Sequence, residues 1–292
     1  WLPDVFGYSA ALPQLLNKSH VPYFMTTKLS WNQYNQIPYD SFYWQGIDGS
    51  RTLTHFITTT SEGYSPTPHY TTYNGILDPY TIKKSWERYL DKDANDAILL
   101  AYGYGDGGGG PTREMLEVLK RMKTALPSMP QVKASTGLDF FDELKTNMKN
   151  HPEKEWLGEL YFEFHRGTYT SIAKNKKNNR RAENMLQSIE KLYSIESLNN
   201  YPQALLEKLW KLVLKNQFHD IIPGSAIQEV YDQTDKEYLE VFQESQELIE
   251  TVLSNDKNSD NLYVFNPAGV ARNEIIEVPL GHTEAFQEKT IL

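Results

Sequence analysis

Along the second half of the chain, apolar residues recur every three or four positions, and no other feature restricts the fold as tightly. From Asn175 to Tyr193 the stripe is Met185, Ile189 and Leu192; from Tyr201 to Gln217 it is Leu205, Leu209, Leu212 and Val213. From Ala226 to Leu253 it includes Tyr231, Tyr238, Val241 and Leu248. Helices with one apolar face bury it against one another, so residues 152–256 are expected to form a three-helix bundle whose stripes are core. The polar stretch Asn255–Asp260 reads as a linker. Beyond it, Leu262–Phe265 and Glu274–Val278 are expected to be strands around the turn Asn266-Pro267-Ala268-Gly269, opening a β domain over residues 257–292.

Residues 1–151 follow a different pattern, ending where composition changes at His151-Pro152. The short apolar run Ala97–Tyr102 stops at Gly103 and reads as a buried strand. Helical spacing precedes it from Tyr80 to Leu90 and follows it from Pro111 to Leu126, where proline suits a first turn. Gln131–Ser135 is read as another short strand and Leu138–Met148 as a helix. Strand, glycine-rich loop and helix in alternation predict an α/β layer.

Composition excludes some partners. A net charge of −9 lacks the basic stripe of nucleic-acid binders, and no run of 18 apolar residues is present to span a bilayer. Zero cysteines rule out disulfides and thiolate metal sites, leave His and carboxylate as the metal ligands, and favour a reducing, cytoplasmic setting. The 19 tyrosines and 6 tryptophans suit sugar-binding clefts and ordinary cores alike.

Four segments could carry chemistry. Trp1-Leu2-Pro3-Asp4-Val5-Phe6-Gly7-Tyr8-Ser9 sets a lone carboxylate in a turn bounded by proline and glycine and flanked by aromatics, as if the chain opened inside an active site with an upstream part missing. Tyr102–Thr112 contains Asp106 before four consecutive glycines, at the end of an expected strand where α/β folds place active sites. The Gly-Lys-Ser/Thr ending of a phosphate loop is absent there. Asp106 is then either a solvated loop residue or an exposed carboxylic acid able to give and take a proton. Asn216–Ser225 places His219-Asp220 between two helices, as a hydrogen-bonded structural pair or as ligands. Glu163–Ser171 offers His165 and Arg166, suited either to a surface ion pair or to a hydroxyl-rich substrate.

Together these segments resemble glycoside hydrolase family 38, the retaining α-mannosidases, and more closely its cytosolic and bacterial branch. Trp1–Ser9 is similar to the family's nucleophile segment, Gly105–Thr112 to its Asp-Gly-Gly-Gly-Gly-Pro-Thr loop, and Asn216–Ser225 to its His-Asp segment. Thr26–Asn32, Gly46–Ser50, His165–Ser171 and Val264–Pro267 add support. The resemblance implies that residues 1–151 are the C-terminal part of an α/β, β/α barrel-like catalytic domain, followed by the bundle and the first strands of a β-sandwich. It implies Asp4 as nucleophile and zinc ligand, His219 as a second zinc ligand and Asp106 as acid/base. Phe6 would stack near the sugar, Asp220 would contact it, and His165 and Arg166 would line its subsite. One zinc ion and a mannose-containing oligosaccharide are the cofactor and partner so implied.

One departure stands out: the family's His-x-Asp pair, which supplies the other two zinc ligands, has no counterpart here. On that reading the chain by itself is expected to hold zinc poorly and to be inactive. Two other readings stay open: a non-catalytic carbohydrate-binding or interaction module on the same fold, and another zinc-dependent carbohydrate hydrolase. Linkage specificity is not legible, and a homo-oligomer is left open.

Overall fold

The computed structural model describes residues 1–60, 70–124, 126–196, 198–253 and 264–275. It divides into two units, 1–166 and 167–292.

The first unit is built on a mixed sheet of β1 (Tyr23–Thr26), β2 (Ser41–Gln45), β3 (Arg51–Phe56) and β4 (Glu155–Leu157), in the order β1-β3-β2-β4. The turn Gly46–Ser50 returns β2 into β3 as an antiparallel hairpin; Gly46 N–H donates to the Ser50 carbonyl (2.9 Å), and Gly49 takes the positive φ, +83°, that such a turn requires. β1 pairs with β3, and β4 with β2, in parallel. Successive side chains pass to opposite faces. Phe24, Phe42 and Trp44 join a cluster with Tyr8, Leu29, Leu160 and Phe162, while Met25 and Leu53 join Phe140, Phe141, Leu144 and Met148. Both faces of the sheet are thus covered, one partly by α1 (Leu12–Lys18) and the other by α4 (Gly137–Asn147). α2 (Pro79–Arg88) and α3 (Arg113–Met122) complete the unit and bury Ile82, Met115 and Met122 together with Leu77. Asp78, Thr112 and Thr136 cap α2, α3 and α4 by accepting the N–H three residues on.

The second unit holds α5 (Ala173–Glu196), α6 (Gln203–Asn216) and α7 (Gln228–Leu253). Leu186 and Ile189 from α5, Leu209 and Val213 from α6, and Tyr238 and Val241 from α7 share one core, as the spacing requires. No helix of the described residues is long and apolar enough to cross a membrane.

The α/β class holds, with corrections of detail. Among the described residues the β2–β3 hairpin makes the sheet mixed and not purely parallel. Ala97–Tyr102 is an extended segment and not a ladder strand. Its side chains alternate between two cores, Ala97, Leu99 and Ala101 into one and Leu100 and Tyr102 into the other, so its apolar run is genuine. Among the described residues a single bridge, Gly75 to Tyr102, pairs its backbone. Gln131–Ser135 likewise forms no strand. Composition changes at His151-Pro152, but β4 pairs with β2, so residues 152–166 go with the sheet. In the β region, residues 264–275 contain no strand; Asn266 closes the expected turn, its Oδ1 accepting from Ala268 N–H (3.0 Å), and the remaining positions lie outside the described residues.

Candidate functional site

Asp4 is carried by a segment laid against the carboxyl end of β1. Leu2 N–H donates to the Met25 carbonyl (3.1 Å), and Thr27 and Lys28 N–H both reach the Pro3 carbonyl (3.3 and 3.2 Å). The buried Tyr8 hydroxyl fastens the segment by meeting the Leu2 carbonyl and the Thr26 hydroxyl. In parallel-stranded layers the carboxyl ends of strands are where ligands are met. Gly7 has φ +104°, and a Cβ there would lie 3.2 Å from the Leu160 carbonyl oxygen, so the chain passes too close for a side chain.

The short turn Lys28–Trp31 follows β1 directly and supplies the counter-charge. Lys28 Nζ stands 2.7 Å from Asp4 Oδ1, with only 7% of its side chain exposed and 20% of that of Asp4. Its ammonium also lies 3.7 Å from the Trp31 ring centre and 5.2 Å from that of Phe6. A buried cation is tolerated only when so compensated, by a carboxylate on one side and ring faces on the others.

His165 sits within a group of rings. Phe6 and Phe162 meet it edge-on with centroids at 4.8 and 4.9 Å, and Phe164 and Trp31 lie at 5.3 and 6.0 Å. The buried Glu163 secures the adjoining loop by accepting the N–H groups of Gln33 and Tyr34, each at 2.6 Å. Phe6, Trp31 and His165 therefore line one aromatic wall beside Asp4, and Arg166, exposed, ends the unit.

Asp106 lies on the glycine-rich loop, exposed, with φ +55°, a left-handed conformation that aspartate tolerates better than most residues. Tyr104 N–H donates to the Gly110 carbonyl (3.0 Å) and closes the loop. The Tyr73 hydroxyl donates to Asp106 Oδ1 and also stands 3.4 Å from Asp4 Oδ2; Asn74 Nδ2 reaches Asp106 Oδ2 at 3.2 Å. One hydroxyl therefore lies between the two carboxylates expected to react. Burial raises the Tyr73 phenol well above the ordinary tyrosine range, and its bond to Asp106 and the charge of Asp4 act the same way, so it keeps its proton and serves as a donor.

His219 and Asp220 belong to the second unit, on the turn from α6 to α7. His219 Nε2 is 3.6 Å from Asp220 Oδ2, and its ring lies 4.3 Å from that of Phe218. The turn is firmly held: Asn175 Nδ2 and the Tyr231 hydroxyl donate to the Ile221 carbonyl (3.0 and 3.2 Å), and Lys176 Nζ to that of Ile222 (2.9 Å). Gly224, φ +89°, packs so near Ser171 that a Cβ would come within 2.7 Å of its carbonyl oxygen.

Carboxylate and imidazole are donors that zinc accepts, so Asp4 and His219 are chemically suited to it. Among the described residues no three His, Asp or Glu side chains gather where they could hold a metal ion. No complete ligand set stands among the described residues, and Lys28 is a cation beside Asp4. Tyr73 and Asn74 were not evident from the sequence, where only the following Gly75 marks the place; Lys28 lay unassigned within Thr26–Asn32.

Comparison with known proteins places these features in context. Residues 1–165 match the N-terminal domain of glycosyl hydrolases family 38, and residues 163–255 the α-mannosidase middle domain. The chain is 38% identical to α-mannosidase G of Dictyostelium discoideum, aligning 96% of its own length with 27% of that protein. It is 35% identical to human α-mannosidase 2C1, covering 96% of this chain and 26% of the relative. Against the α-mannosidase of Saccharomyces cerevisiae it is 40% identical, over 79% of this chain and 21% of the other. The chain thus spans about a quarter of the length of these relatives. In structure it is similar to an α-mannosidase from Enterococcus faecalis, with a TM-score of 0.65 and 19% identity over 86% of this chain and 29% of that one, a likeness of fold.

Proposed function

Because this chain belongs to glycoside hydrolase family 38, we propose that the protein is a retaining α-mannosidase that releases terminal α-linked mannose from oligosaccharides, with Asp4 as nucleophile and Asp106 as acid/base. The observation that carries this reading is the Tyr73 hydroxyl standing between both carboxylates. Two carboxylates that share one hydroxyl are near neighbours, which favours the roughly 5 to 5.5 Å spacing of retaining enzymes over the roughly 6.5 to 9.5 Å that leaves room for water in inverting ones.

On that reading each group has a role. Lys28 pairs with Asp4 Oδ1, and we assign Oδ2, on the Tyr73 side, as the oxygen that attacks the anomeric carbon. As its bond to that carbon forms, the glycosidic C–O bond breaks and Asp106 delivers its proton to the departing oxygen. Asp106, now a carboxylate, takes a proton from water as that water attacks the same carbon and Asp4 leaves. Phe6 and His165 present a wall against which a sugar face packs, and Arg166 supplies donors for hydroxyls.

On the likeness of their segments we assign zinc-ligand roles to Asp4 and to His219, each within its own unit. A zinc ion held by such residues would supply Lewis-acid contacts that orient the sugar through its hydroxyls. Asp220, beside His219, is assigned a contact with the substrate. The lack of cysteine supports a cytoplasmic setting.

The test is hydrolysis of an aryl α-mannoside by the full-length protein, with metal analysis alongside. Chelation is expected to abolish turnover and zinc to restore it, with bound zinc reduced in Asp4→Asn and in His219→Ala. Turnover indifferent to chelator, or unaltered zinc content in both variants, would contradict the metal assignment.

A further inference from the structure

We infer that Tyr73-Asn74 is a clamp that positions the Asp106 carboxylate for both of its proton transfers, and that both residues act through Asp106 and not by touching the sugar. The inference rests on the reading of Asp106 as acid/base.

Asp106 sits on a loop with little to hold it. It is exposed, it is followed by four glycines, and a Cβ built at Gly107, Gly108 or Gly110 would meet nothing within 4 Å. An acid on so open a loop would sample many orientations, yet proton transfer needs the carboxyl oxygen within hydrogen-bond reach of the leaving oxygen. Each oxygen of Asp106 instead has its own donor, the Tyr73 hydroxyl on Oδ1 and Asn74 Nδ2 on Oδ2. Two donors on the two oxygens fix both the position and the rotation of the carboxylate plane.

The donors are themselves anchored. The Thr72 hydroxyl, buried, donates to Asn74 Oδ1, which orients the amide so that its NH2 faces Asp106. Asn74 N–H returns a bond to that hydroxyl (3.2 Å), and Thr72 N–H is tied to the Thr59 carbonyl (2.8 Å). The Tyr73 ring packs against the Met25–Leu53 core. Downstream, the Gly75 carbonyl accepts from Gly103 N–H (2.9 Å), so the clamp and the root of the Asp106 loop are joined through backbone. Gly105 allows the approach, since a Cβ there would lie 3.1 Å from the Asn74 Cβ. The open loop is therefore rigid at one residue, the one that must be.

Tyr73→Phe and Asn74→Ala in the full-length enzyme test this with two aryl α-mannosides. 4-Methylumbelliferol leaves poorly and needs a proton, whereas 2,4-dinitrophenol leaves without one. With the clamp broken, kcat/KM for the methylumbelliferyl substrate is expected to fall about tenfold to a hundredfold in both variants, and that for the dinitrophenyl substrate to change by less than about threefold in Asn74→Ala, which leaves the Tyr73 contact with Asp4 in place. On the dinitrophenyl substrate kcat should fall as well, because the second step needs the base. Azide should restore it: as the Asp4–carbon bond breaks, azide forms a C–N bond with no proton to remove and yields mannosyl azide. Equal losses of kcat/KM on both substrates, with no effect of azide, would overturn the clamp and leave the mannosidase reading intact. An inactive parent enzyme would overturn both. Tyr73→Phe retains the packed ring, and Asn74→Ala alters a different side chain, so a folding defect in one variant leaves the other decisive.

Discussion

His55 is a titratable residue taken wholly out of solvent. It is fully buried on β3, its Nδ1 shares a bond with the Ser41 hydroxyl (2.9 Å), and its ring lies 4.7 Å from Phe140. Burial pushes its pKa down from 6.5 to about 3, so it is neutral in the fold. The unfolded chain binds the extra proton between those values, so the contribution of His55 to stability is complete above pH about 6.5. It is lost as pH falls towards about 3, at about 1.4 kcal/mol per pH unit. Asp40 works the other way: burial lifts its carboxyl from 3.8 to about 6, so stability falls on its account as pH rises through that range. Comparing variants separates the two. In His55→Phe the decline of the unfolding midpoint between pH 6.5 and 4 should be shallower than in the parent, measured by thermal melts; parallel curves would show that His55 is not held neutral.

At the level of elements, the turn that presents His219 and Asp220 depends on Gly224. Gly224→Ala meets both a positive φ and the Ser171 backbone, and is expected to cost about 2 to 3 kcal/mol. A chemical denaturation curve for the helical unit should show it; a change below about 0.5 kcal/mol would mean that the turn relaxes freely. The same elements show what a sequence discloses. The helices of the second unit were legible because Ile189 and Leu192, Leu209 and Val213, and Tyr238 and Val241 recur at the helical spacing and are buried in one core. The strands of the sheet were not: Thr52, Thr54 and His55 are polar residues buried in β3, and its two faces pack on separate cores, so neither alternation nor a pure apolar run marks it. Ala97–Tyr102 misled in the opposite sense, apolar enough for a strand but paired at one bridge.

For the whole molecule, the chemistry was legible where it lies in contiguous segments and hidden where it depends on contacts between distant ones. Asp4 and Asp106 stood out because proline, glycine and aromatic neighbours mark them, and the family resemblance rested on those segments. Their relation did not, because it passes through Tyr73, 69 residues from Asp4 and 33 from Asp106, and through the Lys28 side chain enclosed by Trp31 and Phe6. A lysine or tyrosine in a sequence carries no sign of which carboxylate it will face. That relation is also the basis of the central claim, since carboxylates bridged by one hydroxyl favour a double displacement. The most direct test is proton NMR of the first sugar released by the full-length enzyme from an aryl α-mannoside, recorded before the anomers equilibrate. The α-anomer of mannose should appear first; initial release of the β-anomer, or no release of mannose, would contradict the account.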